Sequence, residues 1–329
     1  MTRVLCDPSV PLEHIRAVLV ASGAVVETSV PPWSGDDVVA LVSFEPVSAD
    51  DLARLPALRV IAAPSVGVDH VDVEAATRRG IWVCHVPDYC VDEMADHALA
   101  LLLSLVRGVV ELDRSVRAGG WNPKAAGSLR RMSDVRLGVV GFGRIGRALA
   151  TRAQALGMEV CAHDPLVSDE EIFAAGVRPA ALDELLRTST AVSIHAPLTP
   201  ETRGLVGSRE LALLPTGAYV VNVSRAGLVD TRALLRELEN GRLGGVALDV
   251  LEVEPPAEDA KAPTAARLVV TPHAGWYSEQ AEEVAHRRAA ESVLDVLEGR
   301  RPRDAVNDPS GSAQARESAR PDSRSREDP

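Results

Sequence analysis

The chain lacks any apolar run of the roughly 18–20 residues that a membrane span requires, so no transmembrane helix is expected. It lacks a C-x-x-C pair or zinc spacing among its 4 cysteines. Cys6, Cys84, Cys90 and Cys161 read as scattered, reduced core thiols, which predicts no metal site and a cytoplasmic protein. It also lacks positive charge: 35 Lys and Arg face 47 Asp and Glu, a formal net charge of −12. That balance argues against nucleic acid and against an anionic membrane surface as partners. An acidic chain that handles anions must gather its cations locally, so single arginines become informative. No leader is read at the start, because Met1 to Cys6 run straight into a strand pattern. The 329 residues suffice for two domains, and 46% hydrophobic with 25% charged residues is the balance of a soluble globular chain.

The stretch that organises the rest is Val135–Ala150. Val135, Leu137, Val139 and Val140 read as a short buried strand, and Arg144 to Leu156 continue at helical spacing. Between them Gly141-Phe142-Gly143-Arg144-Ile145-Gly146 supplies G-x-G-x-x-G. Gly141 allows the tight bend, Gly143 lets backbone approach a pyrophosphate, and Gly146 lets helix and strand pack closely. The phosphates would lie at a helix N-terminus, where N–H groups and the dipole favour negative charge. A second strand, Glu159–His163, ends at Asp164, placed to accept from a ribose diol and to repel a 2′-phosphate. The pattern therefore implies NAD(H) in preference to NADP(H), with Arg144 as the nearby cation.

Around this unit the chain keeps a βα rhythm. Residues 1–96 give strands at Arg3–Cys6, Val25–Thr28, Val38–Ser43, Leu58–Ala63 and Ile81–His85, with helices at Pro11–Ser22, Ala49–Leu55 (capped by Ser48) and Val73–Arg79. Asp92–Arg117 reads as one long helix, with Leu99, Leu102, Leu103 and Val106 on a stripe and further apolar residues at Leu101, Leu105 and Val109. After Glu159–His163 come strands at Ala191–His195, Tyr219–Val223, Gly245–Asp249 and Leu268–Thr271, and a fragment at Val177–Arg178. Helices are expected at Leu182–Arg187, Ser208–Leu214, Asp230–Glu239 and Ser278–Leu297. The fold class is α/β, two doubly wound parallel-sheet domains. The tail 308–329, rich in Ser, Arg, Asp and Glu, is expected to be disordered.

Three ordered motifs of the second half then carry a likeness. Val221-Asn222-Val223-Ser224-Arg225-Ala226-Gly227-Leu228-Val229-Asp230, Leu248-Asp249-Val250-Leu251-Glu252-Val253-Glu254-Pro255 and Thr271-Pro272-His273 resemble the signatures of the D-isomer-specific 2-hydroxyacid dehydrogenases. Val91–Asp96 and His273–Gln280 look most like the C-terminal-binding-protein branch of that family. The resemblance implies a Rossmann NAD-binding domain inserted in a smaller, flavodoxin-like substrate domain. Its ranges would be 1–96 for the first part of the substrate domain, 97–280 for the NAD domain, and 281–307 for a helix returning to the substrate domain.

The chemistry of such a family needs a cation for the substrate carboxylate and a proton for the nascent alkoxide. Arg225 offers a planar fork for a carboxylate, and His273 has the right chemistry for an acid/base. By resemblance Glu254, the acid before Pro255, would hold that imidazole, although Glu252 stands two positions away. By resemblance too, Met94, Val140, Gly141, Phe142, Gly143, Arg144, Ile145, Asp164, Pro197, Thr202, Val223, Ser224, Arg225, Asp249 and His273 would contact NAD. His195 reads equally as a cofactor contact or a buried, hydrogen-bonded histidine. The N–H groups of Val66 and Gly67 would help hold the substrate, and Trp276 reads as either a substrate wall or plain packing. His14, His70, His85, His97, His163 and His286 receive no role. The implied activity interconverts a 2-keto acid and a D-2-hydroxy acid, in a homodimer joined through the nucleotide domains. An NAD(H)-sensing co-repressor-like interaction protein of the same fold is the alternative.

Overall fold

Short aliphatic runs bounded by turn-forming residues become strands because their length buries a core but cannot nucleate a helix. The computed structural model describes residues 2–256 and 265–311. Near the N-terminus β1 (Arg3–Cys6), β2 (Val25–Thr28), β3 (Val38–Val42), β4 (Val60–Ala62) and β5 (Trp82–Cys84) form a sheet ordered β2-β1-β3-β4-β5, every pair parallel. Successive side chains point to opposite faces. Val4, Ala40, Val60 and Cys84 serve one buried cluster, and Leu5, Leu41, Ile61 and Val83 the other. Both faces therefore need covering, by α1 (Leu12–Leu19), α2 (Ala49–Ala53), α3 (Val73–Arg78) and the last helix of the chain. Ser48 caps α2 as expected, its Oγ accepting from the Asp51 amide while the Asp51 carboxylate accepts from the Ser48 amide.

The expected long helix is two helices, α4 (Val91–Arg107) and α5 (Val109–Arg117). The break is Gly108, whose φ of +59° ends α4 and whose missing side chain admits Ala126; a Cβ there would stand 2.5 Å from the Ala126 Cβ. A second sheet follows: β6 (Arg136–Val140), β7 (Glu159–His163), β8 (Arg178–Pro179), β9 (Ala191–Ile194), β10 (Ala218–Asn222), β11 (Leu243–Leu248) and β12 (Leu268–Val270). Its order is β12-β11-β10-β9-β6-β7-β8, again all parallel, the doubly wound dinucleotide-binding order with one strand added. The connecting helices are α6 (Arg144–Ala155), α7 (Asp169–Ala174), α8 (Leu182–Thr188), α9 (Ser208–Leu213) and α10 (Thr231–Glu239). Helix α7 was not expected, though its Ser168–Glu171 capping box is a legible start signal. Leu101 and Leu105, expected as surplus apolar surface, are core residues of this unit, 5% and 0% exposed.

Two compact units result, residues 1–89 with 278–329 and residues 90–277. The division falls before α4 instead of after residue 96, because α4 packs on α6, β10 and β11 of the second unit. The final helix α11 (Glu279–Leu297), capped by Ser278, lies in the first unit against α1 and β4. Most of the tail expected to be disordered lies outside the described residues. Among the described residues no helix is long and apolar enough to cross a membrane.

Candidate active site

Within the second unit the named residues gather at the carboxyl ends of neighbouring parallel strands, where open α/β sheets bind ligands. The turn from β6 into α6 is built as the glycines predict, with an added reason for the first. Gly141 has φ +93°, and a Cβ there would stand 2.6 Å from the Ala196 amide nitrogen and the His195 carbonyl carbon. Two bonds fix the turn against β7: the Gly141 amide donates to the His163 carbonyl, and the Phe142 amide to Asp164 Oδ2, both at 2.8 Å. A Cβ on Gly146 would strike the Gly141 carbonyl oxygen. Among the described residues a Cβ on Gly143 would meet nothing within 4 Å, and no side chain caps α6 at that residue. The N-terminus of a twelve-residue helix thus opens at Gly143 onto unfilled space, a position where N–H groups and the helix dipole favour an anion. Arg144 is exposed beside it, and Arg147 also stands near, 4.8 Å from the centre of the buried Phe142 ring.

Asp164 is held by its neighbours. Oδ2 accepts from Phe142 and Oδ1 from the Leu166 amide at 2.9 Å, which leaves each oxygen capacity for a further donor. His195 closes β9: its amide donates to the Val140 carbonyl, and its Nε2 lies 2.8 Å from Ser193 Oγ. Its Nδ1 is buried with no partner among the described residues, and burial pushes the imidazole down to about 4, so the ring stays neutral. Thr202 braces a turn, its Oγ1 donating to the Pro197 carbonyl at 2.6 Å and accepting from the Thr199 amide. Val140, Phe142 and Val223 are buried, and Ile145 is half-buried.

At the end of β10, Asn222 organises the turn that carries Arg225. Its Nδ2 donates to the Arg225 carbonyl and its Oδ1 accepts from the Ser224 amide, while Ser224 Oγ donates to the Ile194 carbonyl. Arg225 is half-buried, with Nη1 donating to the Ser224 carbonyl. After β12 comes His273, whose Nδ1 lies 2.6 Å from Glu254 Oε2. Glu254 Oε1 accepts from the Leu251 amide, so this acid, and not Glu252, is the one aimed at the imidazole.

His273 has φ +53°, a left-handed conformation costing a non-glycine residue on the order of 1–3 kcal/mol. Asp249 offsets that cost. Its buried carboxylate accepts from the Ala274 amide at Oδ1 and the Gly275 amide at Oδ2, both at 2.9 Å, and its carbonyl accepts from the His273 amide. Bonds to a charged group are worth roughly 1.5–3 kcal/mol each, enough to hold the loop. Burial opposes ionisation of Asp249, yet bonds from His97, Thr271, Ala274 and Gly275 hold its carboxyl below the usual range. Met94, one turn before His97 on α4, borders the same loop; a Cβ on Gly275 would stand 3.1 Å from its sulfur. Trp276 follows, edge-on to Tyr277 at 5.5 Å. Val66 and Gly67 lie in the first unit after β4, their carbonyls accepting from His85 Nδ1 and Ser65 Oγ. Sequence reasoning missed His97 and Thr271, which meet Asp249 only through the fold.

Residues 99–275 match the family described as D-isomer specific 2-hydroxyacid dehydrogenase, NAD binding domain. The chain belongs to that family. It is 35% identical over 299 residues to a D-3-phosphoglycerate dehydrogenase of Methanocaldococcus jannaschii, covering 91% of this chain and 57% of that one. It is 33% identical over 272 residues to a glycerate dehydrogenase of Methylorubrum extorquens, covering 80% and 83%. A structure of D-lactate dehydrogenase from Aquifex aeolicus, complexed with NAD and lactic acid, superposes with a TM-score of 0.81 at 28% identity, covering 90% and 96%. The chain spans about half the length of the D-3-phosphoglycerate dehydrogenases it matches.

Proposed function

We propose that the chain is an NAD-dependent dehydrogenase that interconverts a 2-keto acid and a D-2-hydroxy acid. The observation that carries this reading is the His273–Glu254 pair at 2.6 Å, on a loop pinned beside the strand ends that also bear Arg225 and the glycine turn. NADH supplies the hydride when bound. The chain's part is to place and discharge a substrate. Glu254 accepts from His273 Nδ1, which leaves Nε2 as the position that hands a proton to the substrate oxygen during reduction and takes it back during oxidation. Arg225 binds the carboxylate through its fork and polarises the adjacent carbonyl.

Val140, Gly141 and Phe142 line the pyrophosphate and the amides of Gly143, Arg144 and Ile145 hold it, Asp164 holds the ribose, and Asp249 reaches the carboxamide through the remaining capacity of Oδ2. Met94, His195, Pro197, Thr202, Val223 and Ser224 line the rest of the cofactor site. Val66, Gly67 and Trp276 serve the substrate. The relatives act on hydroxy acids with different 2-substituents, as their names show, so the shared head group is the part of the substrate this reading fixes. Likeness of Val91–Asp96 and His273–Gln280 to the C-terminal-binding-protein branch belongs to the same proposal, as does a homodimer.

The test is steady-state NADH oxidation against a panel of 2-keto acids. Turnover with at least one is expected, and it should vanish in Arg225→Ala. Tight NADH binding without turnover on any member would replace this reading with the co-repressor-like one.

A further inference from the structure

Two side chains converge on one carboxylate oxygen beneath the His273 loop. Thr271 Oγ1 lies 2.6 Å from Asp249 Oδ1, His97 Nε2 lies 3.1 Å from Thr271 Oγ1, and the same Nε2 lies 3.3 Å from Asp249 Oδ1. The Thr271 hydroxyl has one hydrogen, and the ionised Asp249 can only accept, so that hydrogen goes to Asp249. Thr271 Oγ1 must then accept, which makes His97 Nε2 the donor and fixes the tautomer. The loop's own geometry admits this reach: a side chain on Gly275 would stand 3.3 Å from His97 Cδ2 and 2.9 Å from Asp249 Oδ2. One imidazole on α4 thus fastens the strand end before His273 to the carboxylate that holds the amides after it.

We infer that His97 is a positioning residue: it donates from Nε2 to Thr271 and Asp249 and so keeps the Thr271–Gly275 loop, and with it His273, in its strained conformation. Asp249 alone cannot do this as well. A buried carboxylate needs each donor it has, and one lost donor leaves the charge partly uncompensated. Its rotamer then loosens, and the Ala274 and Gly275 amides lose a fixed acceptor. The consequence falls on the geometry of the acid/base and, through Asp249, on the cofactor's carboxamide, and not on the keto acid's carboxylate, which Arg225 holds from a different turn.

The inference rests on the dehydrogenase reading for its kinetic arm only; its second arm needs neither cofactor nor turnover. In the protein without cofactor, amide exchange at Ala274 and Gly275 should accelerate about tenfold or more in His97→Leu, with β10 and β11 unchanged. His97→Gln, whose amide nitrogen overlays Nε2, should restore protection. In turnover, His97→Leu should lower kcat about tenfold at unchanged KM for the keto acid, and His97→Gln should recover it. If His97→Leu fails to fold, the comparison moves to His97→Gln against His97→Asn, whose shorter amide cannot reach; only the latter should lose protection. Unaltered exchange in His97→Leu overturns the inference, and so does equal loss in both members of a pair. An inactive wild-type protein would count against the dehydrogenase reading while leaving the exchange experiment intact.

Discussion

Backbone amides at Phe142 and Leu166 hold the two carboxylate oxygens of Asp164, so this side chain cannot swing aside to admit a bulkier ribose. A 2′-phosphate would bring up to two negative charges against it. At about 4 Å and an effective dielectric near 20, one pair of like charges costs about 4 kcal/mol. Allowing for solvent relief, kcat/KM with NADH should exceed that with NADPH by at least about a hundredfold, some 2.7 kcal/mol. Asp164→Ser should narrow the gap below about tenfold, and equal values in the wild type would remove Asp164 from the ribose. The same reasoning separates the two acids near His273. Glu254→Gln keeps the shape and removes the charge that steadies the imidazole, so kcat should drop, whereas Glu252→Gln should leave it unaltered. His273→Ala should cost about 10²–10⁴-fold in kcat, the span of a general acid. Arg225→Ala should raise KM for the keto acid as well as lower kcat, since it serves binding and polarisation together.

Between helices α1 and α11 the first unit buries a histidine that the chemistry does not use. His286 is 1% exposed, stacks 6.0 Å from His14, and meets the edge of Phe44, with neither ring nitrogen bonded among the described residues. Burial, helped by His14 and opposed by Asp7 and Glu13, pushes it down to about 4. The folded protein therefore refuses a proton that the unfolded chain takes up below about 6.5. Stability should be full above that value and fall as the pH drops towards 4, by about 2 kcal/mol between pH 7 and 5. His195 titrates in the same window in the other unit. His286→Phe keeps the stack and removes one proton site, so thermal melting at pH 7 and pH 5 should show a smaller loss than the wild type; equal losses would refute the assignment. None of this was legible in the sequence, where His286 is one polar residue in an amphipathic helix. Strands were legible because β3 is an uninterrupted apolar run and β9 and β10 are apolar but for Ser193 and the terminal Asn222, all of strand length. The break at Gly108 was not, since Leu105, Val106, Val109 and Val110 keep an apolar rhythm across it. The glycine turn, Arg225, Glu254 and His273 were legible because each belongs to a local motif. His97, Thr271 and Asp249 were not grouped, because 152 and 22 residues separate Asp249 from its partners and only the fold joins them.

For the whole molecule the remaining question is what covers α5. None of its nine residues is buried; Val109 and Val116 are 54% and 49% exposed, and Trp121 just beyond is 88% exposed. Leu101 and Leu105, core residues of their own unit, contribute nothing to such a surface. Glu111 supplies the sharper sign, because both its carboxylate oxygens are shielded from solvent yet have no hydrogen-bond partner among the described residues. An unpaired carboxylate removed from water is costly. A second copy crossing antiparallel at the middle of α5 would bring Arg114 of one helix to Glu111 of the other, and by two-fold symmetry the reverse. Arg114 makes no ion pair within the chain among the described residues, whereas Arg117 is taken by Asp113 at 2.8 Å. One short helix cannot supply the roughly 800 Å² per partner of a stable interface. Such a contact would have to extend into the segment after it, where Trp121 to Ala125 are exposed. Light scattering should give a dimer at micromolar concentration. Trp121→Asp should shift it towards monomer, and so should Glu111→Arg, which sets arginine against arginine. The swap Glu111→Arg with Arg114→Glu restores opposite charges across the two-fold and should return the dimer. A monomeric wild type, or a double swap that behaves like the single one, would mean that something other than a second copy of this chain covers α5.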